Sequence, residues 1–90
     1  MAIYSDDAIA DLQAIRSQIA EDSPARAGEE AAMLDALRKL LDTMPNLGRF
    51  YAGPLRLFMK ESWVIVYEPI SAGILIHRIF DCRHDWRSQI

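Results

Sequence analysis

Residues 63–80 read Trp63-Val64-Ile65-Val66-Tyr67-Glu68-Pro69-Ile70-Ser71-Ala72-Gly73-Ile74-Leu75-Ile76-His77-Arg78-Ile79-Phe80, and this stretch decides the fold class. Two runs of β-branched and aromatic residues, Trp63–Tyr67 and Ile74–Phe80, flank a turn bracketed by Pro69 and Gly73. Such side chains fit a pleated surface, so both runs predict strands. Alternation puts Trp63, Ile65 and Tyr67 on one face, with Val64 and Val66 on the other. It groups Ile74, Ile76, Arg78 and Phe80 against Leu75, His77 and Ile79. Both faces are largely apolar. Whatever covers one of them leaves the other in need of a partner or a closing tail.

Outward from this pair, Lys60-Glu61-Ser62 is a turn and Leu55–Met59 a further strand, so the second half is an antiparallel meander. Before Gly48 the period changes to three and four. Ser5 to about Ala20 carries Ala8, Ile9, Leu12, Ile15 and Ile19 on one helical stripe, with Ser5 as cap and Asp6 and Asp7 at the positive end of the helix dipole. Ser23-Pro24 restarts a second helix, which runs to about Thr43 on Ala27, Ala31, Leu34, Leu37, Leu41 and Met44. Pro45 and Gly48 end it. Two amphipathic helices on a short link form an antiparallel hairpin. The predicted fold is α+β, one domain over residues 1–90: a helical hairpin packed on a small antiparallel sheet of three to four strands, in the order β-α-α-β-β-β. Met1–Tyr4 supplies the optional edge strand.

Composition narrows the setting. Of 90 residues, 51% are hydrophobic and 26% charged, as in an ordinary globular domain. No run is long enough to span a bilayer, and the first residues lack the pattern of a signal peptide. The single cysteine, Cys82, excludes an internal disulfide and suits a reducing compartment. Net charge is −3, unevenly spread. Residues 1–47 hold four basic and nine acidic side chains, residues 48–90 six and four, so the second half either faces an acidic partner or is a solvated surface with chance clustering.

Arg78 sits mid-strand among isoleucines and needs a carboxylate, with Asp81 and Asp85 the nearest downstream. In Cys82-Arg83-His84-Asp85-Trp86, His84 is either a general acid, a role histidine suits near neutral pH, or a chance histidine in an exposed tail. Trp86 either anchors a partner or packs the tail onto the sheet. Asp11 and Glu68 read as solvated or capping residues. His77, Cys82 and His84 offer no four-ligand spacing, so no metal is expected. No phosphate loop, nucleophile elbow or carboxylate pair is present, so no cofactor is expected either.

Taken in order, several short motifs resemble one family: Ala8-x-x-Asp11-Leu12-x-x-Ile15, Ile19-Ala20-x-x-Ser23-Pro24, Pro45-x-x-Gly48-Arg49, Leu55-Arg56, Val66-Tyr67, and Ile76-x-Arg78-Ile79 leading to Arg83-x-Asp85. The chain is similar to toxins of the ParE/RelE family. The resemblance implies the toxin of a type II toxin–antitoxin system, held in a hetero-oligomer by its cognate antitoxin in the cytoplasm. Such systems are tied to plasmid or chromosome maintenance and stress response. ParE-like members bind and poison DNA gyrase; RelE-like members cut messenger RNA on the ribosome, with basic side chains on the sheet and a tyrosine or histidine near the C-terminus. Metal-free cleavage must activate a ribose hydroxyl, stabilise a crowded phosphate and protonate a leaving oxygen.

Aligned on Val66-Tyr67, Val64 stands where many nucleases carry arginine, and Leu55 and Leu57 fall near RelE-like lysines. Ser23-Pro24, Gly48-Arg49 and Arg83-x-Asp85 favour the ParE branch, although Asp81 stands where many ParE-like chains have histidine. The resemblance thus implies gyrase inhibition by binding, with no catalytic residue, no membrane or nucleic-acid contact, and Arg78, Arg83 and Trp86 on the target. The alternatives are a RelE-type ribonuclease using Arg56, Arg78, Arg83 and His84, or an inactive member serving as an interaction module. The antitoxin is expected to lay an amphipathic helix in an apolar groove and to add a strand to a sheet edge.

Overall fold

A computed structural model describes residues 1–82 and 86–89. Local capping chemistry sets the helices. Ser5 Oγ accepts from the Ala8 backbone N–H at 3.1 Å and opens α1 (Asp6–Asp22), with Asp6 and Asp7 in the first turn. Ser23 then serves twice. Its backbone N–H donates to Ile19 O at 2.7 Å and closes α1, while its side chain accepts from Arg26 N at 3.4 Å and opens α2 (Pro24–Thr43). One residue thus separates the two helices.

The strands are β1 (Ala2–Tyr4), β2 (Arg49–Ala52), β3 (Leu55–Lys60), β4 (Trp63–Ile70) and β5 (Gly73–Asp81), followed by a 3₁₀ turn at Arg87–Gln89. They form one sheet in the order β1-β5-β4-β3-β2. This corrects the expected sheet in two respects. It has five strands, because Arg49-Phe50-Tyr51-Ala52 pairs with β3; all four residues are exposed, so no buried alternation marks them in the sequence. It is also mixed, because β1 runs parallel to β5, with Ala2 opposite Ile74 and Tyr4 opposite Ile76. A three-residue segment carries no directional signal of its own. Its direction follows from α1 leaving it to cross the sheet.

Helices and sheet enclose one cluster: Ala8, Leu34, Leu37 and Leu41 against Trp63, Ile65, Tyr67, Ile74, Ile76 and Ile79. On the opposite face Leu57, Val64, Val66 and Phe80 are sealed by Trp86, 3% exposed, which stacks beside Phe80 with ring centroids 6.4 Å apart. The second apolar face is therefore closed by the chain's own tail. Of the predicted stripe residues, Ile9 and Met44 are 44% and 50% exposed and contribute little.

The face assignment along β5 also needs correction. Val66 pairs with Arg78 but Tyr67 pairs with Ile76, so the register shifts and His77 is the extra residue on β5. A bulge of one residue reverses every side chain beyond it. Ile79 consequently joins the helix-side cluster and Phe80 the tail-side cluster.

Tyr67 links the sheet to the chain entering it. Its hydroxyl donates to Pro45 O at 2.7 Å and accepts from Gly48 N at 2.8 Å, fully buried. A Cβ at Gly48 would lie 2.7 Å from the Tyr67 ring and 2.8 Å from Leu57 O, so only glycine fits. Burial raises the Tyr67 phenol above its usual 10.0, and burial likewise raises Tyr4. A raised phenol contributes stability that is complete below the unfolded value and lost as pH climbs through the folded one. Tyr67→Phe is expected to cost about 1–3 kcal/mol at neutral pH, because it leaves two backbone groups unpaired. It should also flatten the loss of stability above about pH 10. Urea unfolding at neutral and alkaline pH checks both; an unchanged midpoint would refute the role given to the hydroxyl.

Candidate functional site

β5 is flanked on its outer side by β1 for only part of its length. Ile74 N donates to Met1 O at 3.0 Å and Ser5 N to Ile76 O at 2.9 Å. Beyond β1, side chains take over. Ser5 Oγ donates to His77 O at 2.8 Å. Asp11, on α1, accepts from Ile79 N at 2.9 Å through Oδ2. The same carboxylate receives Arg78 in a two-point pair, Nε to Oδ2 at 2.8 Å and Nη2 to Oδ1 at 3.1 Å. The Asp11 hydrogen bond raises the Arg78 guanidinium further above its ordinary value. Arg78 also lies 4.6 Å over the Phe80 ring. Asp11, a residue read as solvated or capping, thus supplies a carboxylate for Arg78 that the sequence reading did not name, while the expected Asp85 lies outside the described residues. The pairing spans 67 positions of sequence, which local spacing cannot reveal.

Arg56 is held elsewhere. Its Nη1 donates to Gly48 O at 2.6 Å and to Asn46 O at 3.3 Å, and its guanidinium lies 4.1 Å over the Phe50 ring. Residues paired across antiparallel strands share a face. Arg56 pairs with Tyr67, which belongs to the helix-side cluster. Arg78 pairs with Val66, and Val66 with Leu57, both in the tail-side cluster. The two arginines therefore project from opposite faces of the sheet.

The remaining candidates are also separated. Glu68, likewise read as solvated or capping, meets His77 with 3.0 Å between Oε1 and Nε2. Trp63 Nε1 donates to Glu30 at 2.8 Å and ties β4 to α2. Val64 is fully buried, so the position that resembles a nuclease arginine lies inside the tail-side core. Trp86 is packed there too, with Arg87 4.5 Å over its outer side. Of its two sequence readings, packing is the one the structure displays. Arg83 and His84 lie outside the described residues, as does Asp85. Among the described residues, no three His, Cys, Asp or Glu side chains converge as a metal site, and no helix is long and apolar enough to cross a membrane.

Sequence reasoning missed the surface around β2. Leu47, Gly48, Arg49, Leu57, Phe58 and Met59 line an open recess of about 260 Å³ beside it. Gly53-Pro54 after an aromatic pair was the available signal, since Gly53 adopts φ 56 and turns the β2–β3 hairpin.

What these positions define is an α+β domain with a helical hairpin on one face of a five-stranded mixed sheet and its tail on the other. The family model described as the ParE toxin of the type II toxin-antitoxin system, parDE, matches residues 2–86. The chain belongs to that family, and membership implies an antitoxin partner. No curated protein matches it.

Two stability measurements test this geometry. Asp11→Ala removes the acceptor for both Ile79 N–H and Arg78 and is expected to cost about 2 kcal/mol, in the range for a partly buried charged hydrogen bond. In a double-mutant cycle with Arg78→Ala the losses should fall short of additive; strict additivity would mean the pair does not interact. Trp86→Ala should cost about 3 kcal/mol, as for a buried aromatic. A near-neutral result would mean that the tail does not close the sheet.

Proposed function

We propose that this toxin acts in the cytoplasm by binding DNA gyrase and inhibiting it, and that a cognate antitoxin neutralises it in a hetero-oligomer. The observation that carries the binding reading over the ribonuclease one is the separation of the cations. Cleavage without a metal needs several polar groups on one phosphate. Arg56 and Arg78 stand on opposite faces, and each is occupied by structural oxygen atoms. His77 is engaged by Glu68 on β4. A binder needs no such convergence. It needs rigidly held side chains at the surface.

In this reading the segment from Arg78 to Trp86 carries the target contact. Trp86 is buried on the sheet, and Arg78 and Arg83 supply charge. Interface arginines are frequent hot spots, worth about 2 kcal/mol or more on truncation. Removing residues beyond Phe80 would also remove Trp86 from the core, so single substitutions are the cleaner probes.

The purified protein should inhibit gyrase supercoiling in a dose-dependent way and leave ribosome-bound messenger RNA intact. Arg83→Ala should weaken inhibition roughly thirtyfold, the equivalent of about 2 kcal/mol, and His84→Ala should leave it nearly unchanged. Cleavage of messenger RNA with supercoiling untouched would replace this function with the RelE-type one.

A further inference from the structure

Phe80 and Trp86 stack where the tail meets the sheet, and each ring carries a guanidinium. Arg78 Cζ stands 4.6 Å from the Phe80 ring centre, the two rings have centroids 6.4 Å apart at 27°, and Arg87 Cζ stands 4.5 Å from the Trp86 ring centre. The contacts form one unbroken series, Arg78–Phe80–Trp86–Arg87. Phe80 and Trp86 are 8% and 3% exposed, so the rings themselves offer a partner almost no surface. What reaches solvent at the Trp86 end of the series is Arg87, an exposed residue.

The arginines differ in what holds them. Arg26 pairs with Glu30, Arg38 with Asp35, Arg56 with backbone carbonyls and Arg78 with Asp11. Arg87 forms no ion pair among the described residues, and its contact is the Trp86 ring. A ring face steadies a guanidinium without neutralising it, so Arg87 keeps its charge and its planar fork of N–H donors for a ligand. The backbone supports the same placement. Arg87 opens the 3₁₀ turn Arg87–Gln89, directly after the residue that packs the tail onto the sheet. A side chain ordered before binding loses little conformational freedom when a partner arrives.

We propose that Arg87 is a further target-contact residue and that Trp86 acts through it as a positioning residue. The proposal rests on the reading of the C-terminal segment as the target contact, and extends that contact past Trp86. It also joins the two sequence readings of the tryptophan. Buried on the sheet, Trp86 cannot enter a partner's pocket; it packs the tail and carries the guanidinium that makes the contact. The group recognised is a carboxylate of the protein target. A planar guanidinium takes a carboxylate in two parallel hydrogen bonds, and a phosphate in the same way. The rest of the molecule separates these two ligands. Affinity for a nucleic-acid strand grows with the number of phosphates neutralised. A chain of net charge −3, with nine carboxylates on α1 and α2, opposes such a polyanion. One carboxylate on a protein surface needs only the local guanidinium.

The test compares the full-length chain with Arg87→Ala, Arg87→Lys, Trp86→Phe and Trp86→Leu, each checked for folding by thermal melting. Arg87→Ala should raise the concentration for half-inhibition of gyrase supercoiling about tenfold with an unchanged melting temperature. Arg87→Lys keeps the charge without the fork and should recover part of that loss. Trp86→Phe keeps a ring face and should stay close to the parent, whereas Trp86→Leu, apolar but without a π face, should lose potency as Arg87→Ala does. Arg16→Ala, on α1, should change nothing. Ring-current shifts of the Arg87 side-chain protons in the free protein give a signature that packing alone does not produce. They should be present in the parent and in Trp86→Phe and lost in Trp86→Leu. Growth arrest on induced expression reads the same contact whatever the target. A chain that arrests growth and leaves supercoiling untouched would remove gyrase, and relief of that arrest by Arg87→Ala would still support the contact. Full potency of Arg87→Ala in both assays, unshifted Arg87 protons, or a parent chain inactive in both assays would overturn the proposal. So would equal potency of Trp86→Leu and Trp86→Phe, or Arg87-dependent binding of duplex DNA without gyrase, which would make the ligand a phosphate.

Discussion

The outer edge of β5 is where most of the structure is settled. A strand with apolar side chains on both faces exposes a row of backbone donors and acceptors along any side that no strand covers. Here β1 reaches only as far as Ile76, and the rest is closed by Ser5 and Asp11. Ser5 caps α1 with the same side chain that it offers to His77 O, so the start of the helix is fixed relative to the strand. Asp11, further along the helix, repeats the attachment at Ile79 and adds Arg78. The crossing of α1 over the sheet, and through Ser23 the path of α2, follow from these two anchor points.

The opposite half of the sheet is organised by Tyr67 and Arg56. Tyr67 uses its hydroxyl to satisfy two backbone groups where α2 gives way to β2, and Gly48 allows the ring to come that close. Arg56 binds the next carbonyls from the surface. Arg56 and Arg78 are thereby engaged in shaping a loop and an edge, on opposite sides of the sheet.

Much of the fold was legible, and the exceptions have a common origin. The caps at Ser5 and Ser23, the helix ends, β3, β4 and β5, and the need for a partner or a closing tail all depend on residues within a few positions of one another or on simple alternation. The role of Trp86 was open between anchor and tail, because an aromatic residue after a strand serves either. The Asp11 contact to Arg78 went unread because nearest-neighbour reasoning looks to Asp81 and Asp85, whereas this acceptor comes from α1. The faces beyond His77 were inverted because a bulge leaves no mark in the pattern of apolar residues.

The sequence by itself determined the α+β class, the helical hairpin, the three long strands and the family, since these rest on short-range periodicity, capping and ordered motifs. Tertiary structure alone decided the parallel placement of β1, the addition of β2, the His77 bulge, the Asp11–Arg78 pair and the division of Arg56 and Arg78 between two faces. Each of these joins groups distant in the chain or rests on one register shift. The competition for buried backbone hydrogen bonds that selects among them exists only once the sheet has formed.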